Sequence, residues 1–169
     1  DFSLQSSIRF SPGACEDAII ALQNDVKILT DTYMAVAAIS PMAKRTLNSE
    51  IQCILSMAPK SIDSTLTTRS AIAMTKIWLD FEENVNLLNP PIVVIGSSPT
   101  ALNSLLDLVE SGYTKPSLII GMPVGFIGVS ESKRRLLNSQ CSYIVLEGSK
   151  GGASLASAAT NALLRAAEN

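Results

Sequence analysis

Short runs of consecutive apolar residues alternate along this chain with longer segments whose apolar residues recur at helical spacing. Consecutive apolar residues are typical of strands buried on both faces of a sheet, whereas helical spacing is typical of helices that bury one face. The runs predict five strands, at residues 26–29, 51–55, 92–95, 117–120 and 142–146.

The segments around these strands predict five helices, at residues 12–24, 69–84, 100–111, 130–138 and 153–167. The first is introduced by Ser11-Pro12-Gly13-Ala14, in which serine can cap a helix and proline suits its first turn. Residues 33–39 are also apolar, and they fit either a strand or a helix because periodicity does not separate the two over so short a run.

This alternation predicts an α/β fold with three α/β/α layers and a parallel sheet of about five strands, in one domain over residues 1–169. Right-handed crossovers place the loops at the carboxyl ends of the strands along one edge of the sheet. Three of these loops, at residues 96–100, 121–128 and 147–152, consist largely of small residues.

Composition and charge narrow the classes of function. Hydrophobic residues make up 47% and charged residues 17% of the chain, which is typical of a globular protein. A net charge of −2 argues against nucleic acid as a partner, and no apolar run approaches the roughly 18 residues that span a membrane. Three widely spaced cysteines without a CxxC motif predict free thiols in a reducing cytoplasm.

Several kinds of catalytic site are absent from the sequence. The chain has no histidine, so proton transfer requires another side chain or a residue from outside this chain. It also lacks GxGxxG, GxxxxGK[ST] and GxSxG motifs, which weakens nucleotide-binding and serine-hydrolase interpretations. No cluster of metal ligands is present, because the cysteines are scattered.

The three loops at the carboxyl edge are candidates for ligand binding. Each joins a strand to a helix, so that backbone N–H groups and a helix N-terminus face outward, an arrangement suited to carboxylate or phosphate. The alternative is that their glycines only make tight turns.

Arg69 and Asp31, near this edge, have two interpretations each. Arg69 begins a helix, where a cation is disfavoured, and it either binds a ligand carboxylate or forms an internal ion pair with Asp63 or Asp31. Asp31 follows a strand and either binds ligand or caps a turn. Lys133 and Lys150 are predicted to be surface charges.

Several strings in the chain resemble those of the precorrin-8X methylmutase family, in the family's order and spacing. The most specific runs from Gly121 to Gly128, GMPVGFIG, and is followed by Glu131-Ser132-Lys133. The others are Ser11-Pro12-Gly13-Ala14, Asp31 to Met34, Thr68-Arg69-Ser70-Ala71, Pro99-Thr100-Ala101-Leu102 and Lys150-Gly151-Gly152.

The resemblance implies a flavodoxin-like sheet, a homodimer and an isomerase of cobalamin (vitamin B12) biosynthesis. The family moves a methyl group from ring carbon 11 to carbon 12, which converts precorrin-8X into hydrogenobyrinate or cobalt-precorrin-8 into cobyrinate. It needs no cofactor, and any cobalt belongs to the corrinoid substrate. Neighbouring enzymes of the pathway are possible partners.

The resemblance also implies a set of substrate-binding residues. Met122, Val124 and Phe126 are expected against the apolar face of the corrin ring, with Arg69 and backbone donors at its rim of carboxylates. The remaining expected residues are Asp31, Met34, Thr68, Ser70, Ser97, Thr100, Pro123, Gly125, Gly151 and Gly152.

One departure from the family concerns its catalytic histidine, which is thought to protonate a ring nitrogen. By spacing it would lie a few residues upstream of Asp1, so no catalytic residue is expected within this chain, and a longer native protein is expected to carry it. The alternative is a non-catalytic corrinoid carrier or scaffold. A flavin or nucleotide module rests on fold analogy alone.

Overall fold

A six-stranded sheet forms the centre of the molecule in the computed structural model, which describes residues 2–61, 67–84 and 89–168. In spatial order the strands are β1-β6-β5-β4-β2-β3. Their bounds are β1 Ile8–Phe10, β2 Ile28–Thr30, β3 Ile51–Cys53, β4 Ile92–Ile95, β5 Leu118–Gly121 and β6 Tyr143–Leu146.

Helices cover both faces of the sheet. Their bounds are α1 Ala14–Gln23, α2 Tyr33–Arg45, α3 Arg69–Asn84, α4 Pro99–Glu110, α5 Val129–Leu137 and α6 Ala153–Glu168. One apolar core joins α1, α2 and α6 to the sheet, and a second joins α3, α4 and α5 to its other face. The predicted three-layer α/β/α architecture is therefore confirmed.

The sheet has one more strand than the pattern predicts. Strands β2 to β6 are parallel, as expected, but β1 lies antiparallel to β6, with Ile8 opposite Leu146 and Phe10 opposite Ile144. This strand has only three residues and is partly exposed along its length, so no buried apolar run marks it in the sequence.

Residues 33–39, for which the sequence favoured neither strand nor helix, form the first part of a helix. Thr32 caps α2 by accepting a hydrogen bond from the N–H of Ala35 at 3.2 Å, and α2 then continues through Pro41 to Arg45. Strand β3 ends at Cys53, earlier than predicted, because residues Ile54–Met57 turn into a 3-10 helix.

The strand order determines where a ligand can bind. The chain runs from β2 outward to β3 and then crosses back to β4 on the other side of β2. The carboxyl ends of β2 and β4 therefore border the crevice in which open α/β sheets bind ligands. No helix in the described part of the chain is long and apolar enough to cross a membrane.

Close packing brings the loops at this edge together. A Cβ atom on Gly96, directly after β4, would lie 2.5 Å from Cα of Ala153 at the start of α6. Only glycine permits this approach between two backbones. The N-terminal segment reaches the same edge, since Ser7 accepts a hydrogen bond from the N–H of Glu147 at 2.9 Å.

Candidate binding site at the carboxyl edge of the sheet

The side chain of Asp31 joins the two strands that border the crevice. It is 1% exposed at the end of β2. One carboxylate oxygen accepts the N–H of Gly96 at 3.1 Å, and the other accepts the N–H groups of Ser97 and Ser98 at 2.6 and 2.7 Å. Of the two interpretations of Asp31, the structure supports the cap of a turn.

Two physical effects act on the ionisation of Asp31. Burial raises the pKa of the carboxyl above its ordinary value, and the backbone N–H groups that bind its oxygens oppose this shift. Both oxygens already accept hydrogen bonds from the protein's own backbone, so the carboxylate serves first to hold the turn after β4.

Four hydroxyl groups meet above the crevice, where α3 and α4 begin. Oγ1 of Thr68 lies 2.6 Å from Oγ1 of Thr100, and Oγ of Ser70 lies 2.7 Å from Oγ of Ser98. Thr68 and Ser70 are 3.1 Å apart, as are Ser98 and Thr100. Three of these residues were expected in the site from the sequence, and Ser98 was not.

The same hydroxyls fix the starts of two helices. Thr68 accepts the N–H of Ala71 at 3.1 Å, and Ser98 accepts the N–H of Ala101 at 3.1 Å. The positive ends of two helix dipoles therefore lie side by side, which favours an anion near them. Ser98 could have been found from its place before Pro99, since a serine before a helix-starting proline is a common N-cap.

Arg69 lies beside this cluster and is exposed. Its Nε donates a hydrogen bond to the carbonyl of Pro59 at 3.0 Å, and its other guanidinium N–H groups have no partner among the residues that the structure describes. The ion pair with Asp31 is not formed, because Asp31 binds the turn after β4. Asp63, the other candidate partner, lies outside the described residues.

The two glycine-rich loops after β5 and β6 are bonded to each other. Gly152 donates its N–H to the carbonyl of Met122 at 2.8 Å, and Gly125 donates to the carbonyl of Ser149 at 3.2 Å. Any Cβ on Gly151 would overlap the Met122 carbonyl oxygen. These glycines therefore do more than turn the chain, because they let one loop rest on the backbone of the other.

Side chains of the loop after β5 divide into buried and exposed ones. Met122 is 3% exposed and belongs to the core, and Pro123 is buried, so neither side chain is presented at the surface. Val124 is 48% exposed, and Phe126 and Ile127 are 95% and 92% exposed. The expected contact of Met122 with a ring face is therefore not available to its side chain in this conformation.

Two further apolar side chains are exposed at the carboxyl edge, at the start of α2. Met34, expected in the site, is 66% exposed, and its neighbour Tyr33 is 60% exposed. Neither Tyr33 nor Ile127 was singled out from the sequence. The available signal was their position directly beside expected site residues, in loops that follow parallel strands.

Lys133 is not the surface charge that the sequence suggested. It is 1% exposed, and its Nζ donates to the carbonyls of Gly148 and Lys150 at 2.9 and 2.6 Å. Burial lowers its pKa to about 8. Its spacing from buried Val129 and Leu136, four and three residues away, was the overlooked signal. Lys150 is exposed, as predicted.

Together these features make a surface suited to an apolar molecule that carries acidic groups. Exposed apolar side chains of the loop after β5 and of α2 stand at the same edge of the sheet as the hydroxyl cluster and Arg69. Within the described ranges, no group of three or more histidine, cysteine, aspartate or glutamate side chains is arranged to hold a metal ion.

The bridging role of Asp31 predicts a large loss of stability in Asp31→Asn. The amide has one acceptor oxygen instead of two, so buried N–H groups of the turn after β4 lose their partner, at a cost of about 2 to 3 kcal/mol. Urea unfolding should show this loss, while the control Asp25→Asn, at an exposed residue with φ of 56°, should match the wild type. Equal stability of both variants would contradict the role of Asp31.

Comparison with known proteins agrees with the fold and the loops. The family model for precorrin-8X methylmutase matches residues 1–166. The precorrin-8X methylmutase of Pseudomonas aeruginosa is 38% identical over 92% of this chain and 73% of its own length. The cobalt-precorrin-8 methylmutase of Synechocystis is 34% identical over 97% of this chain and 78% of its own.

A solved structure supports the same assignment. The precorrin-8X methylmutase of Thermus thermophilus superposes with a TM-score of 0.83 and 35% identity, covering 99% of this chain and 79% of that one. A matching family model over almost the whole chain, relatives above 30% identity and a shared fold all agree, and this chain belongs to the precorrin-8X methylmutase family.

Proposed function

We propose that this chain is an isomerase of cobalamin biosynthesis that binds precorrin-8X, or its cobalt-containing counterpart, and moves a methyl group from ring carbon 11 to carbon 12. The observation that carries the proposal is the surface at the carboxyl edge, where exposed apolar side chains stand beside hydroxyl groups and an arginine. A corrin precursor is a flat apolar ring with carboxylates on its rim, so its two kinds of surface match these two kinds of residue.

The ring face is assigned to exposed apolar side chains. Val124 and Phe126 on the loop after β5 and Met34 on α2 are available for contact, and burying an aromatic side chain against a ligand is worth about 1.5 to 3 kcal/mol. Tyr33 extends the same surface. Met122 contributes its carbonyl, which holds the loop after β6, rather than its side chain.

The rim carboxylates are assigned to the donors beside the crevice. Arg69 offers the N–H groups that Pro59 does not use, and the hydroxyl cluster of Thr68, Ser70, Ser98 and Thr100 lies next to it. These residues would fix the orientation of the ring on the apolar loop, since each hydrogen bond to a carboxylate is directional and charge-assisted.

The reaction also requires proton transfer, and no histidine is present among these residues to perform it. The 169 residues contain none, so a proton reaches a ring nitrogen from another side chain or from a histidine outside them. The proposal assigns binding and orientation of the substrate to the described residues. It includes no cofactor of the protein's own, and cobalt, where present, is part of the substrate.

The assignment of Arg69 predicts weaker ligand binding in Arg69→Ala. Loss of a charge-assisted hydrogen bond of about 1.5 to 3 kcal/mol corresponds to a rise in Kd of about 10- to 100-fold. The measurement is an absorbance titration with hydrogenobyrinate, the coloured product of the metal-free reaction. Arg45→Ala is the matched control. Arg45 is exposed at the C-terminal end of α2, away from the carboxyl edge of the sheet, so this variant should leave Kd unchanged. Equal affinity of the two variants would remove Arg69 from the site.

The assignment of Phe126 predicts a second loss of affinity. Phe126→Ala should raise the Kd for hydrogenobyrinate about 10-fold, because most of the apolar contact of this side chain disappears. Phe10→Ala is the control, since Phe10 is also exposed but lies opposite Ile144, away from the carboxyl edge. If wild-type protein gives no spectral shift at all, the proposed function itself fails for these residues.

We also propose that the protein is a homodimer of the cytoplasm. The three cysteines are free, which suits a reducing compartment, and Ile127 is 92% exposed on the loop between β5 and α5. Sedimentation equilibrium should give about twice 17.9 kDa, and Ile127→Ser should shift the protein toward the monomer. A wild-type monomer at high protein concentration would contradict the dimer.

A further inference from the structure

The buried amine of Lys133 is directed at one loop of the candidate site. The side chain is 1% exposed on α5, and its Nζ bonds the carbonyl oxygens of Gly148 and Lys150 in the loop after β6. The proposed function assigns no role to this amine.

The orientation of two peptide groups follows from these bonds. The described peptide bonds are trans, so the C=O and N–H of each peptide group point in opposite directions. Since the carbonyls of Gly148 and Lys150 face Lys133, the N–H groups of Ser149 and Gly151 face away from it. Within the described part of the chain, neither N–H donates a hydrogen bond.

The charge of Lys133 has no counter-ion in the described residues. On its own helix, Glu131 pairs with Arg134, and Arg135 pairs with two carboxylates of α4. On the loop, Glu147 pairs with Arg9 at 2.7 Å, and Lys150 is exposed. Two carbonyl dipoles therefore face the ammonium, and the ammonium in turn polarises the outward N–H groups of the same peptides.

The same loop also supports the apolar surface. The carbonyl of Ser149 accepts the N–H of Gly125, and Gly152 bonds the carbonyl of Met122. A loop held by Lys133 thus also holds the loop that bears Val124 and Phe126. The amine bonds the loop after β6 from its buried side and is screened from solvent.

We propose that Lys133 is a positioning residue that orients the N–H groups of Ser149 and Gly151 as a receptor for a carboxylate group. The inference rests on the proposed function only in taking that carboxylate from the rim of the substrate. Backbone N–H groups two residues apart in one loop bind a carboxylate in many anion sites, and a cation behind the peptides strengthens both bonds.

The experiment is an NMR titration of the isotope-labelled 169-residue chain with two probes, sodium propionate and hydrogenobyrinate. In the wild type, the amide signals of Ser149 and Gly151 should shift with both probes. Lys133→Met keeps the apolar stem and removes the amine, so it should abolish the propionate response and raise the Kd for hydrogenobyrinate about 10-fold. Lys44→Met, at an exposed lysine near the far end of α2, should behave as the wild type.

A second measurement uses only the wild type, in case Lys133→Met does not fold. Propionate stays ionised between about pH 7 and pH 9, whereas Lys133 loses its charge near pH 8, so the affinity for propionate should fall over this range. Carbon-detected NMR spectra are used to measure this affinity, because amide protons exchange quickly with water at high pH. An affinity that does not change over this range would overturn the role of Lys133.

The outcomes separate this inference from the proposed function. If hydrogenobyrinate binds but the signals of Ser149 and Gly151 do not respond, the receptor is wrong and the proposed function stands. If propionate shifts both signals in a Lys133-dependent way but hydrogenobyrinate does not bind, the receptor stands and the proposed function fails. A response to propionate that survives in folded Lys133→Met would overturn the positioning role.

Discussion

One buried carboxylate determines the shape of the carboxyl edge. Asp31 at the end of β2 accepts three N–H groups of the turn after β4, and so joins the two strands between which the sheet reverses its order. That turn presents Ser98 and starts α4, so the hydroxyl cluster depends on it.

The rest of the edge is built by backbone packed on backbone. Gly96 approaches the start of α6, and Gly151 and Gly152 rest on Met122, so three strand-to-helix loops form one connected structure. Lys133 donates hydrogen bonds to the loop after β6 from its buried side. A firm base carrying a few exposed apolar side chains is a reasonable platform for a rigid, flat ligand, since little of the base has to become ordered on binding.

The sequence predicted those features that depend on burial and local pattern. Strands β2 and β4 to β6 were found because their residues are buried on both faces, and α3 was found to begin at Arg69. Strand β1 was missed because it is short and partly exposed. Tertiary contacts decided the remainder: the partner of Asp31 lies 65 to 67 residues away, and the carbonyls that bind Lys133 are 15 and 17 residues away. Local pattern carries no information about such pairings.

The two outermost strands bear on how the sheet avoids pairing with the sheet of another copy. Both β1 and β3 have only three residues, and Arg9 on β1 forms an ion pair with Glu147. Outer strands this short, one of which carries a charged residue, offer few free backbone groups to a strand from another molecule. Growth of the sheet from copy to copy is therefore disfavoured at both sides, and a specific assembly has to be held by side chains on helices and loops.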